Sequence, residues 1–167
     1  AFEALQQREA GQRLTMIDPN IRPGFITDGP AYRGRLSRML AAADIVKVSD
    51  EDLHWLTGGD DPAALDTGAA LVLVTRGSDG VTVLKDGAST DLPAHRAKLA
   101  DTVGAGDTFN AGLLAGLHRG GRLARAALAG ASLDDLAPAI DLGMRAAAIT
   151  VSRTGANPPW ASELEPS

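Results

Sequence analysis

Hydrophobic and polar positions in this chain follow two alternating periods almost from end to end. Residues 3–12 carry a helical pattern, and 14–17 form an apolar run that stops at Asp18-Pro19-Asn20. Pro19 and Pro23 exclude a helix from the next few residues and predict a loop. Leu36, Met39, Leu40 and Ala43 recur at the spacing of one helical face, predicting a helix over 31–43. Residues 45–48 read as a short strand. A helix capped by Ser49 or Asp50 follows, runs through Leu56 and closes at Gly58-Gly59. Asp61-Pro62, a capping residue before a proline, predicts a further helix.

Leu71-Val72-Leu73-Val74 is apolar on both faces, as a buried parallel strand would be. Gly77-Ser78-Asp79-Gly80 turns the chain, and 81–84 with 88–92 form a hairpin closed at Asp86-Gly87. Asp101-Thr102-Val103-Gly104-Ala105-Gly106-Asp107 then opens a helix with Phe109, Leu113 and Leu117 on one face and a smooth surface at Gly112 and Gly116. Leu133, Leu136, Ile140, Met144, Ala147 and Val151 mark a last long helix, and the Pro158-Pro159 tail is expected on the surface. There is no internal repeat, low-complexity tract or linker. The alternation predicts one α/β domain.

Composition narrows this picture. The chain has 167 residues, 44% of them hydrophobic, which excludes an intrinsically disordered class. With 30 Ala, 19 Gly and six aromatic residues, the core must rely on close packing of small side chains. The absence of cysteine excludes disulfides and thiolate metal sites, and points to the cytoplasm. A net charge of −5 argues against a nucleic-acid partner, and the longest stretch without a charged side chain is too short to span a membrane.

The densest chemistry lies at 101–110, DTVGAGDTFN. Gly104, Ala105 and Gly106 supply bare backbone N–H groups between a strand-like run and a helix, a natural anion site. Asp107, on the first helical turn, reaches the same space. A carboxylate beside such amides suits phosphoryl transfer to a hydroxyl, because the amides hold charge on the moving group and the carboxylate takes the proton. Asp101 adds a second negative charge, so a cation is expected nearby. A tight turn with an ordinary acidic helix start would explain Gly104, Gly106 and Asp107 equally. The dinucleotide fingerprint and the P-loop are both absent.

DTVGAGDTFNAG resembles the C-terminal signature of the ribokinase-like (PfkB) carbohydrate kinases, and closest to it are the bacterial fructokinases and 2-keto-3-deoxygluconate kinases. DPNIR at 18–22, KVSDEDLHWLTG at 47–58, VTRGSDG at 74–80 and TVSRTGANPPW at 150–160 agree in order and spacing. The resemblance implies a doubly wound α/β fold with a mostly parallel sheet flanked by helices. It also implies that residues 1–167 are the C-terminal, ATP-binding and catalytic portion of a larger kinase, without the N-terminal half and lid. In the full-length protein that lid often forms a homodimer contact.

The resemblance also assigns roles. Asp107 is the base that receives the proton of a sugar hydroxyl, and Gly104, Ala105 and Gly106 form the anion hole. Asp101 and the Val103 carbonyl mark the place of a monovalent cation such as K⁺. Thr75, Gly77 and Gly80 cradle ATP, and Asn157 flanks the nucleotide. The family's N-x-x-E motif, which helps hold Mg²⁺ through water, falls on Ser49-Asp50-Glu51-Asp52, with Asp52 or Glu51 as participant. A capped helix with an acidic first turn explains those four residues equally well. Asn20 and Arg22 border the phosphate and the reacting end of the sugar. Fructose is the first expected substrate, then 2-keto-3-deoxygluconate or ribose; a non-catalytic nucleotide-binding module is the rival. Asp18 is expected to hold its loop, Trp55 and Trp160 to pack, and the three histidines to carry no site.

Overall fold

The computed structural model describes residues 1–164, which divide into two compact units. The first comprises Ala1–Arg76 and Val81–Leu92; the second comprises Gly77–Gly80 and the residues from Pro93 onward.

The first unit holds α1 (Phe2–Glu9), β1 (Met16–Ile17), α2 (Gly29–Ala41), β2 (Ile45–Ser49), α3 (Asp50–Thr57), β3 (Leu71–Thr75), β4 (Val81–Lys85) and β5 (Ala88–Leu92). The five strands make one sheet in sequence order, with β1, β2 and β3 mutually parallel and β4 and β5 added antiparallel. Alternation across the sheet puts Val46, Val48, Val72 and Val74 into one cluster with Leu36 and Leu40 of α2 and Leu53 of α3. Ile45, Leu71 and Leu73, which point the other way along their strands, are fully buried too. The central parallel strands β2 and β3 are therefore buried on both faces, as the unbroken apolar run at 71–74 predicts, while β5 at the edge is largely exposed. The mixed α/β class is as expected.

Several boundaries shift for identifiable reasons. Asp28 caps α2 by accepting the Ala31 N–H at 3.0 Å, so that helix starts two residues early and ends at Ala41. Only Met16 and Ile17 of the predicted 14–17 strand join the ladder. The Asp44 side chain captures the Thr15 N–H at 2.8 Å and competes with strand pairing there. Asp61-Pro62 opens one 3-10 turn, Pro62–Ala64, in place of a full helix, and the chain leaves it in extended conformation at Leu65, which is buried in the core. The hairpin turn is as predicted: Asp86 and Gly87 both take positive φ, 53° and 78°.

The second unit is helical. Its elements are α4 (Ala105–Arg119), α5 (Arg125–Ala129) and α6 (Leu133–Val151). No strand lies within 93–103, so the run before Gly104 is extended loop and not the strand expected. Phe109, Leu113 and Leu117 of α4 and Leu136 and Ile140 of α6 are buried. Close approach is possible because the facing positions are small: a Cβ on Gly112 would stand 2.8 Å from Gly143 Cα. Trp160 is 79% exposed and does not pack as expected. No helix among the described residues is long and apolar enough to cross a membrane.

Candidate active site

The second unit builds its site on the N-terminus of α4. Gly104 is the N-cap, in the left-handed region at φ 79°, and a Cβ there would lie 3.1 Å from Ala156 Cβ. Glycine answers both demands. The Ala105 N–H turns back to the Thr102 carbonyl at 3.2 Å, and the Thr108 N–H and hydroxyl both donate to the Gly104 carbonyl, at 2.9 and 2.8 Å. The Gly106 and Asp107 N–H groups find no acceptor among the described residues. These are the unpaired amides that make a helix start attractive to anions. Asp107 is exposed, and its carboxylate engages no hydrogen bond or ion pair among those residues.

Asp101 is held differently. Its Oδ1 accepts the Val103 N–H at 3.0 Å and its Oδ2 the Gly155 N–H at 2.9 Å. These backbone donors, Val103 foremost, hold its carboxyl below the usual carboxylate range. Asp101 thus stays ionised and ties the 101–107 turn to the loop after α6. Val103 is 57% exposed. Asn157, also exposed, sits on that same loop and donates its N–H to the Gly155 carbonyl at 2.8 Å. Gly77 and Gly80 bracket a separate 3-10 turn of this unit, at φ 56° and 104°, with bare backbone facing outward from Gly77.

In the first unit, the candidate residues gather at the carboxyl ends of the parallel strands, where open α/β sheets bind ligands. Asn20 is exposed with φ 45°, and Arg22, also exposed, donates from Nη1 to the Ile21 carbonyl at 3.0 Å. Ser49 caps α3 in a capping box with Asp52. Glu51 is exposed while Asp52 is only 5% exposed, its Oδ1 accepting the Ile21 N–H at 2.8 Å. An open groove of about 500 Å³ runs along Ile21, Pro23, Glu51, His54 and Trp55. Thr75 ends β3, and its hydroxyl donates to the Val48 carbonyl at 3.3 Å.

Sequence patterns did not announce every partner here. Asp18 pairs with the buried Lys47 at 3.1 Å; a single charge in the apolar run 45–48 was the available signal. Trp55 does join the core as expected. It also stacks edge-on with Tyr32 at 5.8 Å and lies under the Arg33 guanidinium at 3.6 Å. His54 and His95 contact Asp60 and Asp141.

The pattern of the pfkB family carbohydrate kinases matches residues 1–163. The chain belongs to the pfkB family. A fructokinase from Rhizobium leguminosarum bv. trifolii is 47% identical over 141 residues, which are 81% of this chain and 43% of that protein. Fructokinase with bound ATP from Xylella fastidiosa superposes with a TM-score of 0.82 at 26% identity, covering 93% of this chain and 51% of that one. A double mutant of the fructokinase from Vibrio cholerae O395, in fructose, ADP and potassium ion bound form, gives 0.78 at 26% identity over 92% and 49%. This pfkB chain therefore spans about half the length of the relatives it matches. Within it, the 101–107 turn and the 153–157 loop are joined through Asp101, and the 18–22 and 47–52 motifs through Asp52 and Lys47.

Proposed function

We propose that this pfkB-family segment carries the phosphoryl-transfer machinery of an ATP-dependent sugar kinase, with fructose as the first substrate. The observation that carries this reading is the free Asp107 carboxylate one residue after Gly106, with the amides of both unpaired. The kinship to fructokinases supports the choice of substrate.

In this reading Asp107 accepts the proton of a sugar hydroxyl. The hydroxyl oxygen forms its bond to the γ-phosphorus as the bond from that phosphorus to the ADP oxygen breaks, and ADP leaves with the electron pair. The Gly106 and Asp107 N–H groups, with the bare backbone at Gly104, hold the oxygens of the moving group, where the α4 macrodipole reinforces them. Gly77 and Gly80, with Asn157, contribute to the nucleotide site.

No three His, Asp or Glu side chains among the described residues converge as a metal cage. The exposed carboxylates of Asp50 and Glu51 at the start of α3 fit Mg²⁺, which keeps its waters and is carried largely by phosphates. Glu51 would hold it through water, and the ion would neutralise phosphate charge. The ionised Asp101, beside the exposed Val103, fits a monovalent cation such as K⁺. A cysteine-free chain using ATP suits the cytoplasm.

The test is ADP release across a panel of fructose, 2-keto-3-deoxygluconate and ribose. Turnover with fructose above the other sugars is the expected result. ATP binding without turnover on any of them would leave a nucleotide-binding module.

A further inference from the structure

We propose that Asp52 is a positioning residue, one that clamps the 20–22 loop onto the start of α3 and so sets where Asn20 and Arg22 stand. Its bearing on phosphoryl transfer rests on the function proposed above, whereas the clamp itself does not.

The chain offers its own comparison. Two helices begin with the same device, a serine N-cap and an aspartate three residues on: Ser49 with Asp52 at α3, and Ser132 with Asp135 at α6. In each box one carboxylate oxygen accepts the N-cap N–H, at 3.3 Å for Asp52 and 2.9 Å for Asp135. Capping requires no more than that. The second oxygens differ. Asp135 turns its Oδ1 outward to the Arg122 guanidinium at 2.9 Å in an exposed pair. Asp52 sends its Oδ1 inward, 31 residues back along the chain, to the Ile21 N–H at 2.8 Å. That bond lies in the interior, where a carboxylate is costly unless its oxygens are satisfied.

Ile21 is held twice, because its side chain is 5% exposed and belongs to the core beside Val48 and Leu53. Pinning both its amide and its side chain leaves the flanking Asn20 and Arg22 outward and exposed. Asn20 reaches this arrangement through a positive φ of 45°, which asparagine tolerates. Lys47 and Asp18 reinforce the clamp from the preceding residues.

Amide exchange by NMR on the ¹⁵N-labelled protein tests the clamp without catalysis. Asp52→Ala should speed exchange at Ile21, relative to the β2 amides, by about tenfold or more, the effect of losing one charge-assisted bond. Ser49→Ala, which weakens only the cap, should leave that ratio within about twofold. Should Asp52→Ala not fold, Asp52→Leu decides, since that side chain keeps the volume and accepts from neither donor. An unchanged Ile21 ratio in the folded variant overturns the proposal. In turnover, Asp52→Asn should lower kcat and leave the KM for ATP and the half-saturating Mg²⁺ unchanged. A raised Mg²⁺ requirement with Ile21 still protected would make Asp52 a metal-water acceptor and also overturn it. A protected Ile21 amide in a wild-type chain that releases no ADP would retire the kinase reading and leave the clamp standing.

Discussion

Asp101 Oδ2 and the Gly155 N–H meet at 2.9 Å across 54 residues of sequence. With Oδ1 on the Val103 N–H, the carboxylate ties the turn that opens α4 to the loop that follows α6, next to the Ala100 and Asp101 N–H groups that donate to the Val151 carbonyl. Both bonds favour the ionised form, so the native pKa lies below the ordinary value of 3.8. A depressed native pKa contributes stability that is fully present above the unfolded value and is lost as pH falls through the native one. The wild type should therefore lose stability below about pH 4, and Asp101→Asn should lose less over the same interval. Thermal melts of both proteins from pH 6 down to pH 2.5 check this; parallel curves would count against the assignment.

Asp107 differs from Asp101 in being engaged by nothing among the described residues. Asp107→Asn keeps the unpaired N–H groups and the shape of the helix start while removing the carboxylate proposed as proton acceptor. In a preparation that releases ADP, kcat should fall by about 10²–10⁴-fold with ATP affinity within about twofold of wild type. ADP-release kinetics together with calorimetric ATP binding separate the two effects. A variant with full turnover would remove Asp107 from the base role.

What the sequence made legible was local. Val46, Val48, Val72 and Val74 announced their strands because burial on both faces leaves a continuous apolar run. The turn at Gly104 and the αL cap at Gly58 showed because only glycine takes φ near 80° at no cost. The 125–129 helix was invisible: three alanines and one leucine in five residues carry no periodicity, and Leu128 alone is buried. The bond from Ile21 to Asp52 was also illegible, since backbone amides leave no trace in sequence and the acceptor doubles as an ordinary capping residue. Trp160 was misplaced because two preceding prolines say where a chain turns, not what covers it.

Lys47 supplies a stability test of a different kind. Its side chain is 6% exposed, and the ammonium lies 3.1 Å from Asp18 Oδ2. Asp18→Ala leaves that charge buried without this partner, a change that typically costs about 3–5 kcal/mol. Adding Lys47→Met to the Asp18→Ala protein should recover most of the loss, because the buried charge is then gone as well. Urea unfolding of the two single variants and the double measures the coupling. Simple additivity would show that the pair does not govern this corner of the sheet.

The α4–α6 contact can be probed at one atom. A Cβ on Gly116 would stand 2.5 Å from Ala139 Cα and 2.8 Å from Ala139 Cβ, closer than side-chain carbons come. Alanine is the better helix former by about 1 kcal/mol, so propensity and packing oppose each other at this position. Packing should win. Neither obstructing atom belongs to a flexible side chain, so the helices would have to separate along buried Leu113, Leu117, Leu136 and Ile140. Gly116→Ala should cost about 1–3 kcal/mol net and lower Tm by several degrees. Gly34 in α2 is the matched control, because its added Cβ would meet only the Arg38 Nη1 at 3.7 Å. There propensity acts alone, and Gly34→Ala should stabilise by about 0.5–1 kcal/mol. Melts showing both variants stabilised would mean that α4 and α6 do not approach as closely as Gly116 and Ala139 indicate.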